Sequence, residues 1–210
     1  MIRLASTTAV LLCSSIAAFA GPVEVPPPPP PVYVEPETCA QAFDCFYGGF
    51  ELGFGDGYVD EIAQPVAGAN FPSRTLTFDG EAYGVFAGYN VQNGSTVFGG
   101  EVRYLHVDLT DASGAFEIDT ILDIRGRVGL ASSDALMIYG AAGWSTVSTM
   151  AGVNAFDMTG FNYGVGVEYN INESLFLGAD VTGRQVEGSA GVFDYDAVLN
   201  TATLRAGFRF

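Results

Sequence analysis

The chain has 210 residues, which allows one domain or at most two. Hydrophobic residues make up 49% and charged residues only 15%, which excludes a highly charged disordered chain. The formal net charge is −16 and every basic residue is an arginine, which argues against a nucleic-acid-binding protein. The mean hydropathy is +0.27, but after residue 20 no apolar run approaches the roughly 20 residues that a transmembrane helix needs. This combination favours a β-barrel.

Residues 1–20 are a predicted secretory signal peptide. They carry Arg3 near the start, then an apolar run, and end in an A-x-A cleavage motif at residues 18–20. A lipoprotein signal that uses Cys13 is the alternative, but Leu12 stands where that pattern needs a small residue. The chain is therefore expected to be exported from the cytoplasm.

A Pro-rich leader, residues 21–44, is expected to follow the signal and to be disordered. It contains six consecutive prolines, Pro26 to Pro31. Such a run forms a polyproline II rod of about 3.1 Å per residue and has no core to bury. The leader is interpreted as a stiff periplasmic spacer, and a ligand for a Pro-binding partner or a tether toward the cell wall is the alternative.

Cys39 and Cys45 lie six positions apart in the exported chain. An oxidising compartment favours a local disulfide between them, and free thiols are the alternative. A metal site is disfavoured because His106, the one histidine of the sequence, is far away in the chain. No metal and no cofactor are expected.

Residues 45–210 show the period-two alternation of strands that have two unlike faces. Eight segments follow this pattern, at about 45–55, 81–91, 96–108, 117–131, 135–148, 160–169, 174–187 and 198–210. Long connections are expected at 56–80, 109–116, 149–157 and 188–196, and short ones at 92–95, 132–134 and 172–173. Asn93-Gly94 is the strongest hairpin signal. The pattern predicts an all-β, antiparallel, up-and-down barrel of eight strands.

One face of the predicted strands carries no charge. Its members include Phe46, Phe50, Leu52, Phe54, Tyr83, Val85, Ala87, Tyr89, Ile118, Leu122, Ile124, Val128, Leu130, Tyr163 and Tyr169. The opposite face holds six arginines and six acids: Glu51, Glu101, Arg103, Asp119, Asp123, Arg125, Arg127, Glu168, Asp180, Arg184, Arg205 and Arg209. A soluble, lipocalin-like barrel is the alternative, with its apolar face inward. An arginine on the lipid face costs about 2–4 kcal/mol at mid-bilayer, which favours a transmembrane barrel with the charges in its lumen.

An eight-stranded barrel has an interior that side chains can fill, so we expect the twelve lumen charges to pair with one another. A gated or narrow ion path is the alternative interpretation. His106, with Asp108 on the same face, is weighed as the centre of a lipid-modifying enzyme. The sequence supplies neither a nucleophile nor an oxyanion stabiliser by spacing, so His106 is interpreted as an interfacial residue and no catalytic residues are assigned.

Three stretches carry a family resemblance: residues 46–53, residues 164–169 and the ending at 204–210. With the signal peptide, they resemble the small eight-stranded outer-membrane β-barrel family, described as porin-like or OmpA-like, over residues 45–210. The resemblance implies location in the outer membrane of a Gram-negative cell, contact with lipid and lipopolysaccharide, and a monomer. It also implies that Phe208 and Phe210 form the signal for the barrel assembly machinery.

The expected function is a structural or envelope-stability role with at most a narrow pore. A surface interaction protein, such as an adhesin or receptor, is the first alternative because the predicted long connections hold eight acids and Arg74 alone. A lipid-modifying barrel enzyme is the second.

Overall fold

The computed structural model describes residues 39, 41–65, 67–68, 71–111, 116–151 and 154–210. Within them, eight antiparallel strands pair in chain order, and β1 also pairs with β8, so that the sheet closes into a barrel. The strands are β1 (Phe46–Ala63), β2 (Arg74–Asn93), β3 (Thr96–Asp111), β4 (Phe116–Ala131), β5 (Leu136–Ala151), β6 (Asn154–Asn170), β7 (Leu175–Ala190) and β8 (Phe193–Arg209). The predicted all-β barrel of eight strands is confirmed.

The described residues include no helix with the length and hydropathy required to cross a membrane.

Three short connections lie at one end of the barrel, at 94–95, 132–135 and 171–174; we call this the turn end and the opposite end the loop end. The first connection is a tight turn at Gly94–Ser95, one residue later than the predicted Asn93-Gly94 turn. Gly94 has φ +60°, which suits glycine at the first central position of a hairpin turn.

The strands run much further toward the loop end than the sequence pattern predicts. The expected long connection at 56–80 is wrong, because β1 continues to Ala63 and β2 begins at Arg74. The other three loop-end connections shrink to 112–115, 152–153 and 191–192. The extensions stay in strand form because their inward side chains, such as Val59 and Phe78, are buried in the lumen. The predicted alternation of long and short connections is therefore wrong.

An irregularity in β4 changes which side chains point inward. The pairing of β4 with β5 skips Asp119, because Ile118 pairs with Thr149 and Thr120 with Ser148. A bulge of this kind inserts one residue and shifts the alternation beyond it. Ile118 is consequently buried inside the barrel, and its predicted place on the outer face is wrong.

The outer surface of the turn-end half is apolar, as the sequence predicts. Large exposed side chains on it include Phe50, Leu52, Val85, Ile124, Val128, Leu130, Val165 and Leu204. Strands of 16 to 20 residues exceed the roughly 9–11 residues that cross a bilayer. The barrel therefore projects beyond the membrane, and the excess lies at the loop end.

Candidate functional site: the filled lumen

The middle of the lumen contains two arginine–carboxylate pairs that each share two parallel hydrogen bonds. Arg103 on β3 donates to both oxygens of Glu51 on β1, at 2.8 and 2.7 Å. Arg184 on β7 donates to both oxygens of Asp123 on β4, at 2.9 and 2.5 Å. All four side chains are fully buried. This two-point geometry fixes the orientation of both partners and is the strongest common form of an ion pair.

Glu101 on β3 is a hub for donors from three sides of the barrel. Its Oε1 accepts from Arg125 Nε at 2.9 Å, and its Oε2 accepts from Arg127 at 2.9 Å and Arg205 at 2.6 Å. The hydroxyl of Tyr47 on β1 adds a fourth hydrogen bond, at 3.0 Å. The lumen thus surrounds one carboxylate with three guanidinium groups.

Asp180 on β7 is the second hub. It accepts from Arg125 at 2.8 Å and from Arg103 at 3.2 Å. The Tyr139 hydroxyl donates to it at 2.7 Å and accepts in turn from Arg205 at 2.7 Å. Because Asp180 stands opposite β3 and β4, these bonds join facing walls of the barrel and occupy its axis.

Glu168 on β6 links the network to the turn end. One of its oxygens accepts from Arg127 at 2.5 Å and the other from Arg209 at 2.6 Å. Arg209 also donates to the Asn170 side chain and lies over the ring of Phe176. The chain of ion pairs therefore continues to the last inward residue of β8.

The structure places eleven of the twelve predicted lumen residues in these contacts. The exception is Asp119, which is the extra residue of the β4 bulge and is only half-buried. The ion-pair network thus contains six arginines and five carboxylates, and two further buried carboxylates, Glu61 and Asp111, lie nearer the loop end. Sequence reasoning also missed two members. Tyr47 has the same parity along β1 as Glu51, whereas Tyr139 lies on β5, which contains no charged residue to indicate its inner face.

An apolar cluster fills the lumen on the loop-end side of the ion pairs. Its members include Val59, Phe78, Leu105, Leu109, Phe116, Ile118, Ile121, Val147, Met158, Tyr195 and Leu199. Burial raises the pKa of the Tyr195 phenol, close to the loop end and outside the membrane-spanning part of β8, and the Glu61 carboxylate adds to this increase. Apolar side chains, and not the predicted lumen charges, therefore fill this half of the barrel.

Aromatic and apolar side chains also cover the network on the turn-end side. Tyr47, Phe86 and Phe176 form one cluster, in which the Arg205 guanidinium lies 3.8 Å from the centre of the Phe86 ring. A second cluster brings Phe43, Val97, Met137, Tyr139 and Ala141 together. These turn-end clusters cover the network only in part, because Arg209 lines an open cavity at that end. The apolar cluster on the loop-end side is what interrupts the polar path through the described lumen.

Phe43 belongs to the stretch that sequence analysis assigns to the disordered leader. Residues 41–44 instead form a turn beneath the barrel, and Phe43 is fully buried. A disulfide joins Cys39 to Cys45. The rest of the leader and the signal peptide, residues 1–38, lie outside the described residues.

The outer surface of the loop-end half is acidic. Eight exposed carboxylates point outward from the strands: Asp56, Asp79, Glu81, Asp108, Glu117, Asp157, Glu187 and Asp196. We call them the acidic collar. Several face each other directly across neighbouring strands, as Asp56 faces Asp79 and Glu81 faces Asp108. The expected acidic loops are therefore an acidic outer wall. Among the described residues, no group of three or more Asp, Glu, His or Cys is arranged to hold a metal ion.

His106 lies on the outward face of β3, not in the lumen. Its ring centre is 5.0 Å from that of Tyr83 on β2. Asp108 also points outward, and its carboxylate accepts from the Thr110 hydroxyl at 3.4 Å.

The closed barrel, its apolar outer band and its charged lumen agree with a match to a known family. The model of the outer membrane protein beta-barrel domain family matches residues 6–210. The chain belongs to this family. As an outer membrane β-barrel protein it resides in the outer membrane of Gram-negative cells, in contact with its lipids. Its turn end is assigned to the periplasm, because the longest connection, 64–73, lies at the opposite end and barrels of this membrane carry their longer loops outside.

Several solved structures are similar to this outer membrane barrel. The attachment invasion locus protein Ail of Yersinia pestis is 15% identical, with 78% of this chain and 98% of Ail covered and a TM-score of 0.45. OprG from Pseudomonas aeruginosa is 12% identical, with 82% and 99% covered and a TM-score of 0.49. The outer membrane protease OmpT from Escherichia coli is 8% identical, with 83% and 99% covered and a TM-score of 0.46. No curated protein matches the chain.

Proposed function

We propose that this protein is a non-conducting structural barrel that stabilises the outer membrane. The observation that carries the proposal is the filled lumen, in which side chains of buried ion pairs occupy the middle and an apolar cluster fills the loop-end side. A water-filled channel needs a continuous polar path, and an eight-stranded barrel has no spare width once its side chains are in place. The protein is therefore suited to holding lipid and spanning the membrane, with at most a narrow pore.

Planar-bilayer recording of the folded protein tests this proposal. We expect no discrete conductance steps at moderate voltage, whereas a conducting porin added to the same bilayer provides the positive control. Reproducible open-channel steps from the purified barrel would contradict it.

We further propose lipopolysaccharide as the principal neighbour of the barrel and the monomer as its working form. The uncharged outer band covers every strand of the turn-end half and suits acyl chains on all sides. Light scattering in detergent, corrected for bound detergent, tests the monomer. A dimer that survives dilution would contradict it.

The barrel assembly machinery is the proposed partner during insertion. Phe208 and Phe210 both point outward, with 55% and 73% of their surface exposed, beside β1 where the barrel closes. A variant that lacks Phe210 should accumulate in the periplasm, while Phe161→Ala, which changes an outward aromatic elsewhere, should insert normally. Normal insertion without Phe210 would contradict this role.

A surface interaction at the loop end is a second candidate function, favoured by the acidic collar and by an exposed aromatic pair. Phe71 packs edge-on against Phe193 with ring centres 5.8 Å apart, and Phe71 is 43% exposed. A lysine-rich peptide is a suitable probe, since the collar attracts cations. Binding should fall in a variant that neutralises Asp79, Glu81 and Asp108, and unchanged binding would contradict this candidate.

The protein is proposed to be non-enzymatic. The position of His106, on the outer face beside Tyr83, supports an interfacial role. His106→Ala should therefore leave the lipid A composition of the host membrane unchanged. A changed lipid A pattern would favour the lipid-modifying alternative.

A further inference from the structure

The segment that precedes β1 turns back under the barrel and places one aromatic ring in its periplasmic mouth. Phe43 is fully buried and packs in one cluster with Val97, Met137 and Tyr139 from the inner wall. The Arg209 guanidinium lies 4.8 Å from the centre of its ring. We call the described residues of this segment, 39 and 41–45, the stopper segment.

Polar contacts hold the stopper segment at several points of the barrel rim. The Phe43 amide donates to the Gln92 side chain at 2.9 Å, and the Gln41 side chain donates to the Gln92 carbonyl at 3.1 Å. The Asn170 side chain donates to the Ala42 carbonyl at 3.4 Å. Gln41, Gln92 and Asn170 also line an open cavity, so water competes for these hydrogen bonds.

A covalent link closes the same segment. The disulfide joins Cys39 to Cys45, and Cys45 directly precedes β1. The two cysteines enclose Phe43, so the bond limits how far the ring can move from the mouth. Cys45 is buried, whereas Cys39 is half-buried and lines the periplasmic cavity of about 880 Å³.

We propose that the Cys39–Cys45 disulfide is a redox-sensitive latch that keeps Phe43 in the periplasmic mouth of the barrel. While the bond is intact, the ring shields the inner wall around Met137 and Tyr139 from periplasmic water. When the bond is broken, only the packing of Phe43 and the solvent-competed hydrogen bonds hold the segment, and it leaves the mouth for a larger fraction of the time.

The chemistry of release is thiol–disulfide exchange with a dithiol. The thiolate of the dithiol attacks Cys39 Sγ, which the cavity makes reachable, and Cys45 leaves as a thiolate that takes up a proton. The second thiol of the reductant then displaces Cys39 as a thiol. Two electrons pass to the protein disulfide, and the reductant is left as a cyclic disulfide.

Three methionines at separate places in the barrel can be used to measure local access of solvent. Met137 packs in the cluster of Phe43 and is 1% exposed, Met158 lies in the loop-end cluster and is fully buried, and Met150 is 40% exposed. Hydrogen peroxide oxidises accessible methionine to the sulfoxide, so the rate at each position measures local access of solvent.

The test treats the folded full chain with hydrogen peroxide and follows each methionine by mass spectrometry. In the double variant Cys39→Ser/Cys45→Ser, oxidation of Met137 should accelerate by about tenfold or more through local opening, while Met158 stays protected and Met150 reacts as before. Phe43→Ala should expose Met137 even with the disulfide intact.

Unchanged protection of Met137 in the double variant would overturn the latch, because the non-covalent contacts would then suffice. An equal rise at Met158 would also overturn it, since the whole barrel would then be opening. In a second experiment, dithiothreitol and then iodoacetamide are applied to the folded protein in detergent. Carbamidomethylation of both cysteines is expected, and labelling only after the barrel unfolds would overturn the accessible latch.

Discussion

The guanidinium of Arg127 lies over the ring of Tyr139, with 3.8 Å between the guanidinium carbon and the ring centre. The same guanidinium donates to Glu101 and Glu168, so one side chain combines two ion pairs with a cation–π contact in a buried site. Removing a charge from such a site leaves its partners unpaired, which typically costs about 3–5 kcal/mol.

Arg127→Ala should therefore lower the urea midpoint of unfolding strongly. Arg74→Ala is the matched control, because Arg74 has half of its side chain exposed and pairs with Glu61 alone at 3.1 Å. Glu61 is mostly buried, but water reaches the Arg74 side of the pair, so the loss of Arg74 should cost far less than the loss of Arg127. Equal, small effects of the two variants would mean that the lumen charges are not tightly paired.

Tyr139→Phe removes one hydroxyl and keeps the ring beneath Arg127. The hydroxyl donates to Asp180 and accepts from Arg205, so its loss should destabilise the barrel by about 1–3 kcal/mol. Tyr163→Phe changes a hydroxyl on the outer face and should have a much smaller effect. Urea unfolding in detergent micelles measures the free energy of unfolding of both variants. A larger loss for Tyr163→Phe would argue against the network.

Two single variants, Asp123→Asn and Asp119→Asn, compare a carboxylate in the lumen with a carboxylate in the bulge four residues away. Asp123→Asn leaves the buried Arg184 without its two-point partner and should cost several kcal/mol, about the value for a broken buried pair. Asp119→Asn should change the free energy of unfolding little. A comparable loss in both would show that Asp119 contributes to the network after all.

Asp79→Asn should stabilise the barrel by a few tenths of a kcal/mol to about 1 kcal/mol, because Asp79 directly faces Asp56 on the neighbouring strand. Asp157→Asn is the control, since Asp157 faces Ser148 and accepts its hydrogen bond at 2.9 Å. The gain at Asp79 should shrink as sodium chloride screens the repulsion. A destabilised Asp79→Asn variant would contradict the repulsion.

The alternation along the strands was sufficient to predict the barrel, its outer band and most of the lumen charges. The reason is that inward residues on one strand stand two positions apart, so an arginine in the lumen shares its parity with the other inward residues of its strand. Ile118 and Asp119 could not be placed, since a bulge is a property of the pairing of two strands and leaves little trace in one sequence. The loop-end extensions were missed because inward apolar residues such as Leu109 do not distinguish a filled barrel from a loop that packs on its rim.

The buried position of Phe43 was equally hidden from the sequence. A single aromatic beside a Pro-rich stretch carries no period, and its contacts with Met137 and Arg209 bridge distant parts of the chain. The cysteine spacing did indicate a local disulfide, but it gave no sign that the phenyl ring of Phe43, between the two cysteines, lies in the periplasmic mouth of the barrel.

The distribution of partners across the strands also constrains how the barrel can be built. Glu101 on β3 accepts a hydrogen bond from Arg205 on β8, and Asp180 on β7 accepts one from Arg125 on β4, so the charges of one hairpin have their partners on strands far away in the chain. An isolated hairpin inserted into lipid would expose these groups without compensation. Insertion strand by strand is therefore disfavoured, and the charges favour a route in which the sheet curls and closes before its inner face loses contact with water.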